Sequence, residues 1–111
     1  MSLIAAAAMV AALSQPAAPP SLQEPRAYED LLCGYTDWDC AKAYRVMLCE
    51  SSGNPRAYAA GNYGLLQINA VHARRVGGDP TVFYDPAVNI EIAHQLWQER
   101  GWQPWGYCGR G

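Results

Sequence analysis

Four cysteines restrict the folds that this chain of 111 residues can adopt. In a short chain with an export signal, an even number of cysteines is typical of a disulfide-bonded domain, and no Cys-x-x-Cys pair indicates a zinc site. We therefore predict that Cys33, Cys40, Cys49 and Cys108 form two disulfides. Reduced thiols in the core are the alternative.

Local structure limits how these cysteines can pair. Residues 39–50 contain good helix formers after an aspartate suited to the capping position, so a helix is predicted there. On a helix, Cys40 and Cys49 would lie about 13 Å apart, beyond the limit of about 7 Å for a disulfide. We favour Cys33 with Cys40, which closes a short loop, and Cys49 with Cys108, which ties the chain end to the helix. The swapped pairing remains open.

The beginning of the chain has the composition of an export signal. Residues 3–13 form an uncharged apolar run of signal-peptide length that is too short to span a bilayer. We predict a signal peptide over 1–18, a proline-rich linker over 19–25 and one folded domain over 26–111. The protein is accordingly expected to be secreted or held in the cell envelope. A disordered alanine-rich leader is the alternative.

The charge balance excludes broad classes of partner. Eight Lys and Arg against ten Asp and Glu give a formal net charge of -2, so no extended basic surface for nucleic acid or anionic lipid is expected. No membrane span is expected either. His72 and His94 have no cysteine or carboxylate at ligand spacing, so neither a metal nor another cofactor is predicted.

Turn and capping residues divide the remaining chain. Residues 51–64 are rich in glycine, which predicts a loop with at most a short hairpin. A short helix is predicted over 68–76, and Gly77 and Gly78 end it. The clearest helix follows Asp85-Pro86 and runs to Arg100. No long strand is indicated, so we expect a small, mainly α domain with a loop or hairpin insertion, held by disulfides.

Three tryptophans near the end of the chain are expected to pack in the core: Trp97, Trp102 and Trp105. Sugar stacking is the alternative for the last two.

Glu50 is the residue most suited to chemistry. It stands at the end of an apolar helix, beside a cysteine and before the glycine-rich loop, so its carboxyl group is expected to be partly shielded from water. Burial raises the pKa of a carboxyl group, as a proton donor near neutral pH requires. A solvated surface glutamate is the simpler interpretation of this residue taken alone.

Three segments together resemble a known superfamily. Glu50-Ser51 followed by Tyr63-Gly64-Leu65-Leu66-Gln67-Ile68-Asn69 resembles the signature of the lysozyme superfamily, and Tyr84-Asp85-Pro86-Ala87-Val88-Asn89-Ile90 resembles a segment of soluble lytic transglycosylases. The resemblance covers about residues 45–100. It implies a small, mainly α lysozyme-like fold and an enzyme that acts on the glycan strands of peptidoglycan.

The resemblance also implies residue roles. Glu50 would be the catalytic acid and base, Ser51 and Gln67 would hold the site and the glycan, Gly64 would allow close backbone approach, and Asn89 would support the site. Tyr58 and Tyr63 flank the loop after Glu50 and are predicted to line a sugar subsite. The full set of predicted substrate-binding residues is Ser51, Tyr58, Asn62, Tyr63, Gly64, Gln67 and Asn89.

Two departures from these families affect the expected reaction. Many soluble transglycosylases have a tyrosine where this chain has Leu96, so Tyr63 or Tyr84 would fill that role unless it is absent. Animal-type lysozymes have an aspartate where this chain has Asn62, and no Asp or Glu occurs from Ser51 to Gly78.

Glycoside hydrolases of the two-carboxylate type need both groups, about 5 Å apart in retaining enzymes and about 6.5 to 9.5 Å apart in inverting ones. With Glu50 alone, the sequence favours non-hydrolytic cleavage of the β-1,4 bond between N-acetylmuramic acid and N-acetylglucosamine, with a 1,6-anhydro product. One alternative is a hydrolytic muramidase, in which Asn62 or another group positions water. The other is a catalytically silent peptidoglycan-binding module.

Overall fold

The structure, a computed structural model, describes residues 28–111. The predicted signal peptide over 1–18 and the linker over 19–25 lie outside the described residues. Residues 28–33 are helical and lead into the loop that precedes the first long helix. Within the described part, no helix is long and apolar enough to cross a membrane.

Helix α1 comprises Cys40–Ser51 and begins where the sequence predicts it to begin. The side chain of Asp39 caps it by accepting a hydrogen bond from the backbone N–H of Lys42 at 3.1 Å. The helix buries Ala43, Val46 and Met47 in the core. It ends at Ser51, and the capping residue Ser52 has φ of 54° and donates its N–H to the Leu48 carbonyl.

A three-stranded antiparallel sheet follows α1 in the order β1-β2-β3. The strands are β1 Tyr58–Ala59, β2 Asn62–Tyr63 and β3 Ile68–Asn69. The predicted hairpin is therefore confirmed, but the predicted helix over 68–76 is wrong at its first two residues. Ile68 and Asn69 pair with β2, and helical structure begins only with the 3₁₀ helix Ala70–Val76, capped by the Asn69 side chain.

Helix α2 comprises Pro86–Arg100 and lies in the middle of the core. The Asp85 side chain caps it by accepting hydrogen bonds from the N–H groups of Ala87 and Val88, as the Asp-Pro pair predicts. A 3₁₀ helix, Pro80–Tyr84, precedes α2, and another, Gln103–Trp105, follows it. The buried residues of α2 are Asn89, Ile90, Ile92, Ala93, His94 and Leu96.

Two disulfides join the described elements in the pairing favoured from the sequence. Cys33 is bonded to Cys40 with their Cα atoms 5.0 Å apart, and Cys49 is bonded to Cys108 with a Cα separation of 5.7 Å. The second bond ties the end of α1 to the C-terminal tail. The fold class is as predicted: a small, mainly α domain with a hairpin insertion, held by disulfides.

The tryptophans pack as expected. Trp105 is buried, and Trp97 and Trp102 pack against the core while remaining partly exposed. The core draws its apolar side chains from α1, the sheet, α2 and the tail. All parts of the domain that surround the candidate site therefore share one hydrophobic core.

Candidate active site

Glu50 lies in the last turn of α1 and is half-buried. Burial raises the pKa of its carboxyl group, and no charged group among the described residues contributes to the shift. The preceding residue, Cys49, is held by its disulfide to Cys108. A carboxyl group in this position keeps its proton to higher pH than an ordinary glutamate and can act as a proton donor.

Ser51 stabilises the backbone directly after Glu50. Its hydroxyl donates to the Met47 carbonyl at 3.0 Å and accepts from the Gly53 N–H at 3.2 Å, and the residue is buried. The hydroxyl is thus used within the protein. These two bonds hold the backbone at the helix end, and the predicted contact of Ser51 with a glycan stays a prediction.

A short series of turns connects Glu50 with the sheet. The Ser51 carbonyl accepts from Asn54, and the Asn54 carbonyl accepts from Ala57. The Ala57 carbonyl then accepts from the Gly64 N–H at 2.7 Å and from Gln67 Nε2 at 3.2 Å. The loop after Glu50 is therefore held against the segment that carries the second sequence motif.

Gln67 is partly buried and has an unusual backbone conformation, with φ of 51°. Its Nε2 donates to the carbonyls of Ala57 and Gly64, the latter at 2.9 Å. Its Oε1 has no hydrogen bond to any described residue, so this oxygen is available to a ligand. The predicted dual role of Gln67, holding the site and contacting glycan, is compatible with this geometry.

Asn89 lies behind the same segment and is completely buried. Its Oδ1 accepts from the Leu66 N–H at 2.9 Å, and its Nδ2 donates to the carbonyls of Tyr63 and Phe83 at 2.8 and 2.9 Å. All of this bonding is to backbone groups. The Asn89 side chain is therefore fully engaged inside the core, and its place among the substrate-binding residues stays a prediction.

Gly64 is needed for the same packing. It has φ of +75°, and a Cβ at this position would come within 3.0 Å of the Phe83 carbonyl oxygen and of Asn89 Nδ2. The backbone at Gly64, which is buried, thus packs closely against Phe83 and Asn89. Its predicted role toward substrate stays a prediction.

Three tyrosines make successive ring contacts that run from the sheet to the 3₁₀ helix Pro80–Tyr84. Tyr63 contacts Tyr58 and Tyr84 edge to face, with ring centroids 5.0 and 5.4 Å apart. Tyr58 is 58% exposed, so it offers an aromatic surface to solvent. Burial, with smaller contributions from Tyr58, Tyr84 and Asp79, raises the pKa of the Tyr63 hydroxyl, which therefore stays protonated and can donate.

A cavity of about 70 Å³ opens beside the sheet, between β2, β3, α2 and the tail. Asn62, on β2, faces it and accepts a hydrogen bond through Oδ1 from Asn69 Nδ2 at 3.2 Å. Trp105 closes another side, and its indole N–H donates to the Leu66 carbonyl at 2.9 Å. The cavity is lined by Asn62, Gln67, Ile68, Asn69, His72, Leu96, Pro104 and Trp105.

From the sequence, no ligand contact is predicted for Asn69 or His72, and for Trp105 sugar stacking is only the alternative to core packing. A sequence signal could have drawn attention to two of them. Asn69 belongs to the second motif, and Trp105 is a tryptophan whose N–H needs an acceptor when the ring is buried. His72 had none, because its position at the cavity depends on how the 3₁₀ helix packs against α2. Within residues 28–111, no group of three or more His, Cys, Asp or Glu side chains is placed to hold a metal ion.

These features define a class of protein: a lysozyme-like domain with a partly buried glutamate at the end of a helix, followed by a small sheet and a polar cavity that Glu50 itself does not line. The family model described as the transglycosylase SLT domain matches residues 37–103, which is more than half of the chain. The chain therefore belongs to the transglycosylase SLT domain family, and its function is lytic transglycosylase-like action on peptidoglycan. Searches of curated proteins and of solved structures found no significant match.

Proposed function

We propose that this domain cleaves the β-1,4 bond between N-acetylmuramic acid and N-acetylglucosamine without consuming water, with Glu50 as the catalytic acid and base. The observation that carries this proposal is the half-buried Glu50 carboxyl group, whose pKa is raised by burial, with no contribution from a charged group among residues 28–111. A second carboxylate near enough to act with Glu50 would also raise its pKa by like-charge repulsion.

In the first step, protonated Glu50 donates its proton to the glycosidic oxygen. The bond between that oxygen and C1 of the muramic acid breaks, and the glucosamine leaves with a new 4-hydroxyl group. The positive charge that develops at C1 has no aspartate partner at position 62. The acetamido group of the substrate itself is the group that balances this charge in our proposal.

In the second step, the Glu50 carboxylate accepts the proton of the C6 hydroxyl of the same muramic acid. The C6 oxygen bonds to C1 and closes a 1,6-anhydro ring. Glu50 is protonated again, so the cycle is complete and all atoms of the substrate remain in the two products. A single residue thus serves as acid and then as base.

Asn62 supports this choice over two-carboxylate hydrolysis. It occupies β2 at the edge of the cavity, and its Oδ1 accepts from Asn69. An amide can neither remove a proton from water nor attack C1 as a carboxylate does. In our proposal Asn62 binds the saccharide together with Gln67 and the ring surfaces of Tyr58 and Tyr63, and Ser51, Gly64 and Asn89 position these groups.

Because the family acts on peptidoglycan, we also propose that the protein works outside the cytoplasm, secreted or in the cell envelope. The two disulfides are compatible with an oxidising compartment. Residues 1–18 would direct export as a signal peptide, and 26–111 would form the working domain. No role of nucleic acid is proposed.

Clearance of a peptidoglycan suspension by the oxidised protein tests the enzymatic proposal. Glu50→Gln should lose clearance, and Glu91→Gln, which changes an exposed carboxylate on α2, should keep it. Equal clearance by wild type and Glu50→Gln would overturn the role of Glu50. Absence of clearance by every variant, with binding retained, would favour a silent binding module.

The mass of the products distinguishes transglycosylation from hydrolysis. We expect muramic acid ends that carry the anhydro ring, one water molecule lighter than the reducing ends that hydrolysis creates. Reducing muramic acid as the main product would replace our proposal with the muramidase alternative.

A further inference from the structure

Three arginines lie close together around His72, in a chain whose formal net charge is -2. Burial is the largest cause of the lowered pKa of His72, and Arg75, Arg74 and Arg100 lower it further, while Glu99 opposes them. Charges act on a ring in this way only from nearby. Arg74, Arg75 and Arg100 are called the arginine cluster below. With one glutamate beside three arginines, the cluster has an excess of positive charge.

One member of the arginine cluster is engaged within the protein. The Arg75 guanidinium donates to both Glu99 carboxylate oxygens at 2.7 and 2.8 Å and to Gln95 at 3.3 Å. This ion pair ties the 3₁₀ helix that carries Arg74 to the end of α2, which carries Arg100. The pair thus leaves Arg75 itself without charge to spare and holds together the two elements that present the other arginines.

Arg74 and Arg100 have charge available for a ligand. Both residues are exposed, and neither forms an ion pair with an acidic group within residues 28–111. A guanidinium group presents its N–H donors in a planar fork that matches the two oxygens of a carboxylate. The chemistry of these two side chains therefore suits a ligand that carries carboxylates.

The arginine cluster lies on elements that border the cavity beside the sheet. His72 from the 3₁₀ helix and Leu96 from α2 both line this cavity, and these two elements carry the cluster. Asn62 and Gln67, which bind the saccharide in our proposed function, line the same cavity. A glycan strand bound by these two amides would thus pass beside the elements that carry the arginines.

The peptide stems of peptidoglycan are the carboxylate groups closest to such a strand, because they are attached to its muramic acid residues. Two unpaired arginines match the few carboxylates of one stem. A phosphodiester wall polymer would instead require an extended basic surface, which the formal net charge of -2 argues against. The position and the size of the cluster therefore favour the peptide stem.

We propose that the arginine cluster binds the carboxylates of the peptide stem through Arg74 and Arg100, so that the domain prefers glycan strands that carry acidic stems. This inference rests on the proposed function, because it takes peptidoglycan as the ligand. It assigns a specificity-determining contact to the peptide part of the substrate, outside the residues that bind the sugar.

Binding to two preparations of soluble glycan strands tests the proposal. One carries uncrosslinked peptide stems, and in the other the stem carboxylates are converted to amides, which removes their charge and keeps the peptide. The parent is the disulfide-bonded protein with Glu50→Gln, so that the strands are not cleaved. Fluorescence anisotropy of end-labelled strands gives the dissociation constants. At pH 7 and low salt, the parent should bind the acidic strands about tenfold more tightly, as two exposed ion pairs would allow, and added salt should reduce this difference.

Double variants of exposed arginines identify the groups responsible. Arg74→Gln/Arg100→Gln should bind both preparations as weakly as the parent binds the amidated strands. Arg45→Gln/Arg110→Gln is the matched control, because it removes the same charge from two exposed arginines outside the cluster, and it should keep the preference. Arg74→Lys/Arg100→Lys retains the charge and should bind acidic strands within about threefold of the parent. Unchanged binding of the amidated strands shows that each variant is folded.

Several results would overturn this inference. These are equal binding of the two preparations by the parent, a preference retained in Arg74→Gln/Arg100→Gln, and an equal loss in the control, which would indicate a diffuse effect of net charge. Tighter binding of a soluble phosphodiester wall polymer than of the acidic strands, dependent on the same two arginines, would reassign the cluster to phosphate.

Clearance by wild type separates these failures from failure of the proposed function. If wild type clears peptidoglycan and releases anhydro ends, any of the results above overturns only the role of the arginine cluster. If the parent binds neither preparation and wild type fails to clear peptidoglycan, both proposals are wrong.

Discussion

Asn89 lies directly behind Gly64, so close that a methyl group at position 64 would come within 3.0 Å of Asn89 Nδ2. From this position the Asn89 side chain bonds to backbone groups of Tyr63, Leu66 and Phe83. One buried amide on α2 thereby fixes the turn between β2 and β3. This turn carries Gln67 and follows Asn62, and both residues line the cavity. The buried core thereby controls the position of two residues of the candidate site.

Asn89→Asp should destabilise the domain by about 2 to 4 kcal/mol in urea denaturation at neutral pH. The substitution keeps the volume but replaces the amide donor, so the carbonyls of Tyr63 and Phe83 lose their hydrogen bonds and face a buried carboxyl group. Glu91→Gln, at an exposed position of the same helix, should change stability by no more than about 0.5 kcal/mol. A loss below about 1 kcal/mol in Asn89→Asp would contradict this account.

Gly64→Ala should cost more stability than Gly77→Ala. Both glycines have positive φ, +75° and +92°, so alanine at either site carries a backbone penalty of about 1 to 2 kcal/mol. At Gly77 the new Cβ meets nothing within 4 Å, whereas at Gly64 it would overlap Phe83 and Asn89. We expect an additional loss of about 1 to 3 kcal/mol at Gly64, measured by urea denaturation. Equal losses at the two positions would show that the close packing is unimportant.

Glu50→Gln should be more stable than wild type at neutral pH. Because burial raises the pKa of Glu50, the folded state holds the proton more tightly than the unfolded chain, and ionisation at higher pH opposes folding. This loss of folding stability is absent below the pKa of the unfolded chain, about 4.3, and reaches its full size above the pKa of the folded state. The two proteins should therefore have nearly equal stability at pH 3, in thermal denaturation followed as a function of pH. A less stable Glu50→Gln at pH 7 would instead indicate a paired structural glutamate.

Asp37 should show the opposite dependence on pH. Its Oδ1 lies 2.6 Å from His94 Nε2, and its Oδ2 accepts from Gln98 at 3.1 Å. The hydrogen bond with His94 is the largest cause and holds the pKa of Asp37 below its ordinary value. Burial opposes it with the next largest effect, and the bond with Gln98 lowers the pKa by a smaller amount. This stabilisation is present above the unfolded pKa of about 3.9 and is lost as the pH falls through the lower folded value. Asp37→Asn should be less stable than wild type at pH 7, with a difference that disappears near pH 2.

The two disulfides should contribute unequally. They join cysteines 7 and 59 residues apart in the sequence, and in the chain-entropy model these loops correspond to about 2.5 and about 4 kcal/mol. Replacing Cys49 and Cys108 by serine should therefore destabilise the domain more than replacing Cys33 and Cys40.

The same pair of double variants tests whether the longer bridge also serves the site. Cys49 precedes Glu50, and the tail that Cys108 holds brings Trp105 to the cavity. We expect peptidoglycan clearance, at a temperature where both variants are folded, to fall mainly in Cys49→Ser/Cys108→Ser. Similar clearance by the two double variants would limit the longer bridge to a role in stability.

Local signals in the sequence were sufficient for the two long helices, whereas the helix over 28–33 and the 3₁₀ helices Pro80–Tyr84 and Gln103–Trp105 were not predicted. Asp39 and Asp85 cap α1 and α2 through hydrogen bonds to residues two or three positions away, and this short range is what a capping pattern describes. The boundary at Ile68 and Asn69 was wrong because their conformation depends on pairing with β2. Strands of two residues have little pattern of their own, so only the partner strand defines them.

By itself, the sequence determined the two long helices, the pairing favoured for the cysteines and the prominence of Glu50, because these follow from local propensity, from spacing and from resemblance to a family. The tertiary structure alone decided which side chains meet. Asn89 bonds to Leu66 across 23 residues, Trp105 to Leu66 across 39, and His94 to Asp37 across 57. His72 likewise reaches the cavity and remains unpaired only through the packing of its helix. Such contacts depend on how the whole core packs, and no local pattern contains that information.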